Sequence, residues 1–143
     1  MAPTEERAVE ILGLKQRGKQ RPPLRAFVDN GFTARAFEAL ADYANISRAD
    51  LARAADIPLR TVQRREATGT RKFERDESDR LARVARLYAI AESVLGSREE
   101  AQRWMVAPNR ALDGLRPLDE LETEVAARDV EDLLGRIQYG IFS

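Results

Sequence analysis

The chain has 143 residues with 24 basic and 24 acidic side chains, no cysteine and no histidine. The missing residue types exclude disulfides, thiolate nucleophiles, Cys/His zinc sites and a histidine general base. Composition, at 43% hydrophobic and 34% charged, describes a folded and soluble chain of one domain, or of two small modules sharing a core.

No apolar run approaches membrane-spanning length, and the opening MAPTEERAVEILGLK has no signal-peptide core. Together with the lack of disulfides, this points to a cytoplasmic protein without a membrane partner. Charge is unevenly spread. From Ser47 to Arg86 there are 11 basic and 7 acidic residues; from Leu87 to Ser143 there are 6 and 11. A basic middle and an acidic end suit two different partners.

In chain order, a helix is expected over about Thr4 to Leu14. The flexible basic linker KQRGKQRPPLR follows, and residues 1–30 form a separate N-terminal segment. The stretch RAFVDNGFTARAFEALADYANIS then predicts a short helix, an Asn-Gly break and a helix from about Thr33 to Tyr43. Phe37, Leu40 and Ala41 form the apolar face of that helix.

The stretch SRADLARAADIPLRTVQRREATG reads as two short helices around a tight turn. Ser47 is an N-cap, with Asp50 three residues on. Pro58 opens the second helix. Asp56 stands where such turns prefer glycine, and a non-glycine residue there must accept a left-handed conformation. This is the helix-turn-helix layout, whose second helix enters the DNA major groove. Leu59 and Val62 are expected to face inward, leaving Arg60, Thr61, Gln63 and Arg64 outward as candidate DNA contacts. Arginine pairs with guanine, glutamine with adenine, and threonine with a base edge or a phosphate. Arg65 occupies the position where a second apolar anchor is usual. Beyond Gly69, a turn or wing offers Arg71 and Lys72 to phosphates, which completes a helix-turn-helix domain over residues 31–75.

A long helix is predicted from about Asp76 to Leu95, with the stripe Leu81, Val84, Leu87, Tyr88, Ala91, Val94 and Leu95, ending at Gly96. So wide a stripe could bury itself within the monomer or across a dimer, and a homodimer built on residues 76–96 is the expectation, since helix-turn-helix proteins pair to match two half-sites. Ser97 with Glu100 caps the next helix, which Pro108 ends; Trp104 is expected as a core anchor. Residues 108–121 are expected as a loop with one turn of helix, pinned by Asn109, Gly114 and Pro117. The last helix runs from about Glu124 to Ile137, capped by Thr123, with Val130, Leu133, Leu134 and Ile137 inward. No strands are predicted. The fold class is all-α: a helix-turn-helix module joined through a long helix to a small C-terminal helical domain over residues 97–143.

From Gly31 onward the motif order resembles the Xre-type antitoxins of the RES–Xre toxin–antitoxin systems, within the wider group sharing the Xre/MbcA/ParS toxin-binding C-terminal domain. The carrying residues are the helix-turn-helix stretch, ESDRLARVARLYAIAESVLG, the Pro-Asn at 108–109, LDGLRPLDEL and the ending VEDLLGRIQYGIFS. The chain departs from that pattern at Ala126 and Ala127, where a glycine is common. The resemblance implies an antitoxin that silences a cognate RES-type toxin, which consumes NAD, and that represses its own operon by binding operator DNA.

Candidate toxin-binding residues are Arg136, Tyr139, Gly140, Ile141, Phe142 and Ser143, because an ending in exposed aromatics suits a partner's cleft. No catalytic residues, metal site or cofactor are expected. The rival reading is a stand-alone helix-turn-helix regulator whose C-terminal domain dimerises or senses another signal.

Overall fold

A computed structural model of the chain describes residues 3–14, 18, 21–69 and 71–140. Among them every regular element is helical: α1 Pro3–Ile11, α2 Leu24–Asn30, α3 Ala34–Ala44, α4 Arg48–Ala54, α5 Leu59–Thr68, α6 Arg75–Leu95, α7 Arg98–Val106 and α8 Glu124–Gln138. Two 3-10 turns lie between α7 and α8, at Arg110–Leu112 and Pro117–Glu120. Of the expected linker over residues 15–25, residues 15–17 and 19–20 fall outside the described residues, and its last two, Leu24 and Arg25, already belong to α2.

The helix boundaries follow local chemistry. Ser47, Ser97 and Thr123 each accept a hydrogen bond from a backbone amide three residues on, satisfying one free donor of the first turn. Glu74 and Glu77 do the same reciprocally at the start of α6, which therefore begins one residue before the expected Asp76. Gly96 ends α6 in the left-handed conformation. Pro58 stands at the N-cap of α5, one position earlier than expected. Ala126 and Ala127 lie inside α8, whose helix runs uninterrupted through them.

The long helix α6 is the hub. It packs against α1, α2, α3, α7 and α8, and Leu81, Val84, Leu87, Tyr88 and Ala91 are all at most 1% exposed. This corrects the expectation that its stripe needs a second copy. Val9 and Leu12 of the N-terminal segment, Met105 of α7, and Val130 and Leu134 of α8 belong to the same core. Residues 1–30 are accordingly no mere appendage, since α1 supplies one wall of the core. Trp104 is only partly buried and packs at the core's edge.

Gly31 sets how α3 meets the start of α6. Its φ is +85°, and a Cβ there would fall 2.7 Å from the Phe73 carbonyl oxygen. The bare backbone lets the Phe73 amide donate to the Phe32 carbonyl at 2.7 Å. The Phe32 amide in turn donates to the buried Ser78 hydroxyl at 3.0 Å.

Candidate functional site

The helix-turn-helix is built as its sequence demands. Asp56 takes the left-handed conformation at φ +51°, and the Ile57 amide closes the turn on the Ala52 carbonyl at 2.8 Å. Arg80 reaches from α6 to the Ala55 and Asp56 carbonyls at 2.7 and 3.2 Å. Those carbonyls follow a helix end with no intrahelical partner, so the guanidinium both satisfies them and ties the turn to the core. Arg48 of α4 pairs with Glu66 of α5 at 2.5 Å, bridging the two helices on the surface.

On α5, Arg60, Gln63 and Arg64 are exposed as expected. Thr61 is not: it is buried, and its hydroxyl accepts from Arg64 Nη2 at 3.2 Å. Leu59 is also turned from its expected place and is 38% exposed. Both corrections have one cause. Thr61, Val62 and Arg65 form the buried arc of this helix, because Arg65 is only 5% exposed and holds a core position. Its guanidinium lies over the Phe73 ring, 5.9 Å from the centroid, with Glu74 and Glu77 at 3.9 and 3.8 Å. Phe73 in turn stacks on Phe37. The stem of Arg65 therefore replaces the apolar anchor, and a cation–π contact replaces part of its hydration. Arg71 and Lys72, just before this anchored phenylalanine, are exposed.

At the other end, Ala127, Val130, Leu133 and Leu134 seat α8 on the core. Arg136 is exposed and Tyr139 is 77% exposed. Gly140 has φ +70°, the conformation that lets the chain turn away from the helix axis. Ile141, Phe142 and Ser143 lie outside the described residues. Val125, in the first turn of α8, is also 77% exposed.

Two polar clusters, absent from the sequence reading, join the halves. In the first, Tyr43 of α3 donates to the Glu92 carboxylate of α6, and Arg7 of α1 donates to the same group at 3.0 and 3.2 Å. Partial burial pushes the Glu92 carboxyl up, but the bonds from Arg7 and Tyr43 outweigh it and hold the group below the usual range. Burial, followed by the Glu92 acceptor, raises the Tyr43 phenol. Arg98, the first residue of α7, lies over the Tyr43 ring and donates to the carbonyls of Tyr43 and Asp42 at 3.0 and 2.9 Å. A cation thus sits at the negative end of α3.

The second cluster lies in the motif LRPLDEL. Arg116 donates to the Asp119 carboxylate at 2.8 and 2.9 Å and lies 3.5 Å from Asp50 of α4. Leu118 and Leu121 are fully buried, and Arg83 of α6 donates to the Leu121 carbonyl at 3.2 Å. The Arg116 guanidinium holds the Asp119 carboxyl below its ordinary value. These residues carried a visible signal in the sequence, an Arg–Asp pair three apart around Pro-Leu.

The class of protein so defined is a helix-turn-helix protein with a second helical module packed on the same central helix. A family model described as an antitoxin Xre-like helix-turn-helix domain matches residues 23–86. A second, the antitoxin Xre/MbcA/ParS C-terminal toxin-binding domain, matches residues 91–140. The chain is 35% identical over 123 residues to an antitoxin Xre of Photorhabdus laumondii, covering 85% of this chain and 82% of that one. It is 36% identical over 114 residues to an antitoxin Xre of Yersinia enterocolitica, covering 79% and 76%. An antitoxin Xre of Pseudomonas putida is 39% identical over 84 residues, 59% of this chain and 52% of that one. The chain belongs to the Xre antitoxin family.

Among the described residues, no helix is long and apolar enough to cross a membrane.

Proposed function

We propose that the chain neutralises a cognate RES-type toxin, which consumes NAD, and represses its own operon by binding operator DNA through α5. The observation that carries this is the pair of exposed polar faces at two places on one core. Arg60, Gln63 and Arg64 project from the helix-turn-helix, whereas Arg136 and Tyr139 project from the end of the toxin-binding domain. Residues 31–75 form the DNA-contacting unit, residues 97–143 the toxin-contacting unit, and residues 76–96 the bridge. The protein acts by binding in the cytoplasm, without catalysis of its own.

Arg71 and Lys72 serve phosphates beside α5. A homodimer suits an operator of two half-sites, and its contact lies elsewhere than on the buried stripe of α6.

For the toxin, α8 is a stiff arm that delivers Tyr139, with Gly140 allowing residues 141–143 to bend into the nucleotide site. Arg136, one turn earlier, replaces polar contacts of NAD. A buried aromatic anchor contributes about 2 kcal/mol or more at such an interface, so a short tail suffices. The test is removal of residues 139–143. Toxin NAD consumption should return while melting temperature and operator affinity stay near those of the full chain. Full inhibition by the truncated protein would rule out the tail as the inhibitory element. If melting temperature, operator affinity and inhibition are lost together, the tail belongs to this protein's own core.

A further inference from the structure

Leu59 occupies the first helical position of α5, at 38% exposure, and is the one large apolar side chain on that helix left in solvent. It does not complete the core, because Ile57 and Val62 close the angle beneath it at 3% and 0% exposure. Side chains four apart share a row along a helix. The outward face of α5 therefore carries two rows, Leu59 with Gln63 and Arg60 with Arg64. Leu59 stands at the N-terminal tip, the end that meets base edges when a recognition helix docks.

An apolar group at that tip has a narrow choice of partners in the major groove. Guanine, adenine and cytosine offer hydrogen-bonding atoms there, and covering these with leucine leaves them without a partner. Thymine alone offers a methyl group. Building on the DNA-binding reading above, we infer that Leu59 reads a thymine methyl, on the base pair flanking those met by Arg60 and Gln63.

The experiment removes the methyl rather than the base. A duplex is first enriched from a random-sequence library with the full chain. Each thymine is then replaced singly by deoxyuridine, which keeps every hydrogen bond. The wild-type chain should lose about fourfold in affinity at one position per half-site, the worth of one buried methyl. Leu59→Ala should bind the thymine and deoxyuridine duplexes equally at that position. Far-UV circular dichroism of the variant should match wild type, because Leu59 lies outside the core.

Wild-type indifference at every thymine would overturn the inference while leaving DNA binding intact, as would unchanged methyl discrimination by Leu59→Ala. Failure to enrich any duplex would instead overturn the DNA-binding reading, and this inference with it.

Discussion

Arg116 lies 3.5 Å from Asp50, and this contact joins the loop before α8 to the first helix of the helix-turn-helix. The same guanidinium is held by Asp119, so one arginine links two carboxylates from separate parts of the chain. With Leu118 fully buried next to it, the motif LRPLDEL works as a plug that seats the toxin-binding domain on the helix-turn-helix. Its sequence specificity thus has a packing cause as well as any role toward a partner.

Changing Arg116 to Gln should therefore destabilise the whole chain. Hydrogen bonds to charged groups contribute more than neutral ones, but this side chain is 30% exposed and solvent screens it. A loss of about 1–2 kcal/mol is expected. It should appear as a lower urea midpoint with unchanged slope.

Acid should weaken this cluster and the Glu92 cluster alike. The Asp119 and Glu92 carboxyls both titrate below their ordinary values in the folded chain. Their contribution is present above the unfolded values, about 4, and is lost as pH falls through the lower folded ones. Urea midpoints measured downward from neutral pH should therefore fall below about pH 4. Glu92→Gln, which cannot titrate, should show a shallower decline. Equal slopes for the two proteins would remove Glu92 from the account.

Much of the architecture was legible because helix ends are local events. Ser47, Ser97, Thr123 and Gly96 mark their termini by chemistry confined to one turn, and the structure keeps each of them. The stripe on α6 was equally plain, but what covers it was not. Its cover includes α1, which comes from more than sixty residues earlier in the chain, and periodicity carries no record of so distant a partner. The phase of α5 failed for a different reason. Two of its three inward residues, Thr61 and Arg65, are polar, so hydrophobicity alone turned Leu59 inward and Thr61 outward. The inward position of Arg65 could be read from the motif, but not the Phe73 ring and Glu77 carboxylate that hold its charge there.

That arginine invites a substitution series. Its ion pairs are long, at 3.8 and 3.9 Å, and its Nε is buried without a hydrogen-bond partner among the described residues. Such a pair is weak support for stability, and a linear apolar residue can replace it at little cost. Arg65→Met should unfold within about 1 kcal/mol of wild type, whereas Arg65→Ala, which leaves a cavity, should cost about 2–3 kcal/mol. Neither residue faces the groove, so operator affinity of the folded Met variant should be unchanged.

Gly31→Ala tests the joint between α3 and α6. The substitution meets both a positive φ and the Phe73 carbonyl oxygen at 2.7 Å; backbone carbonyls do not swing aside like side-chain tips. A cost of about 2–3 kcal/mol is expected from the strained conformation plus the forced shift. Because Phe73 carries both Phe37 and Arg65, amide exchange should quicken first around residues 71–78. A melting temperature equal to wild type would show that the joint can open without loss.

The outward row of α5 separates two kinds of DNA contact. Arg60 and Arg64 are both exposed, four residues apart, and Arg64 is also tethered to Thr61 at 3.2 Å. The tether holds Arg64 close to the helix body, which suits a phosphate at the groove wall. Among the described residues Arg60 is drawn into no such bond, and it is nearer the N-terminal tip, which suits a guanine edge. A phosphate contact contributes uniformly across sequences and releases counterions, whereas a base contact contributes to discrimination. Arg64→Ala should therefore lower affinity for operator and unrelated DNA alike, and flatten the dependence of log affinity on log salt by about one unit per half-site. Arg60→Ala should cost about 1–3 kcal/mol on operator alone and relax preference at one base pair. Titrations at two salt concentrations with operator and scrambled duplexes distinguish the four combinations. If both variants bind like wild type in all four, these arginines form only a solvated face, and the DNA-binding surface must be sought elsewhere on the chain.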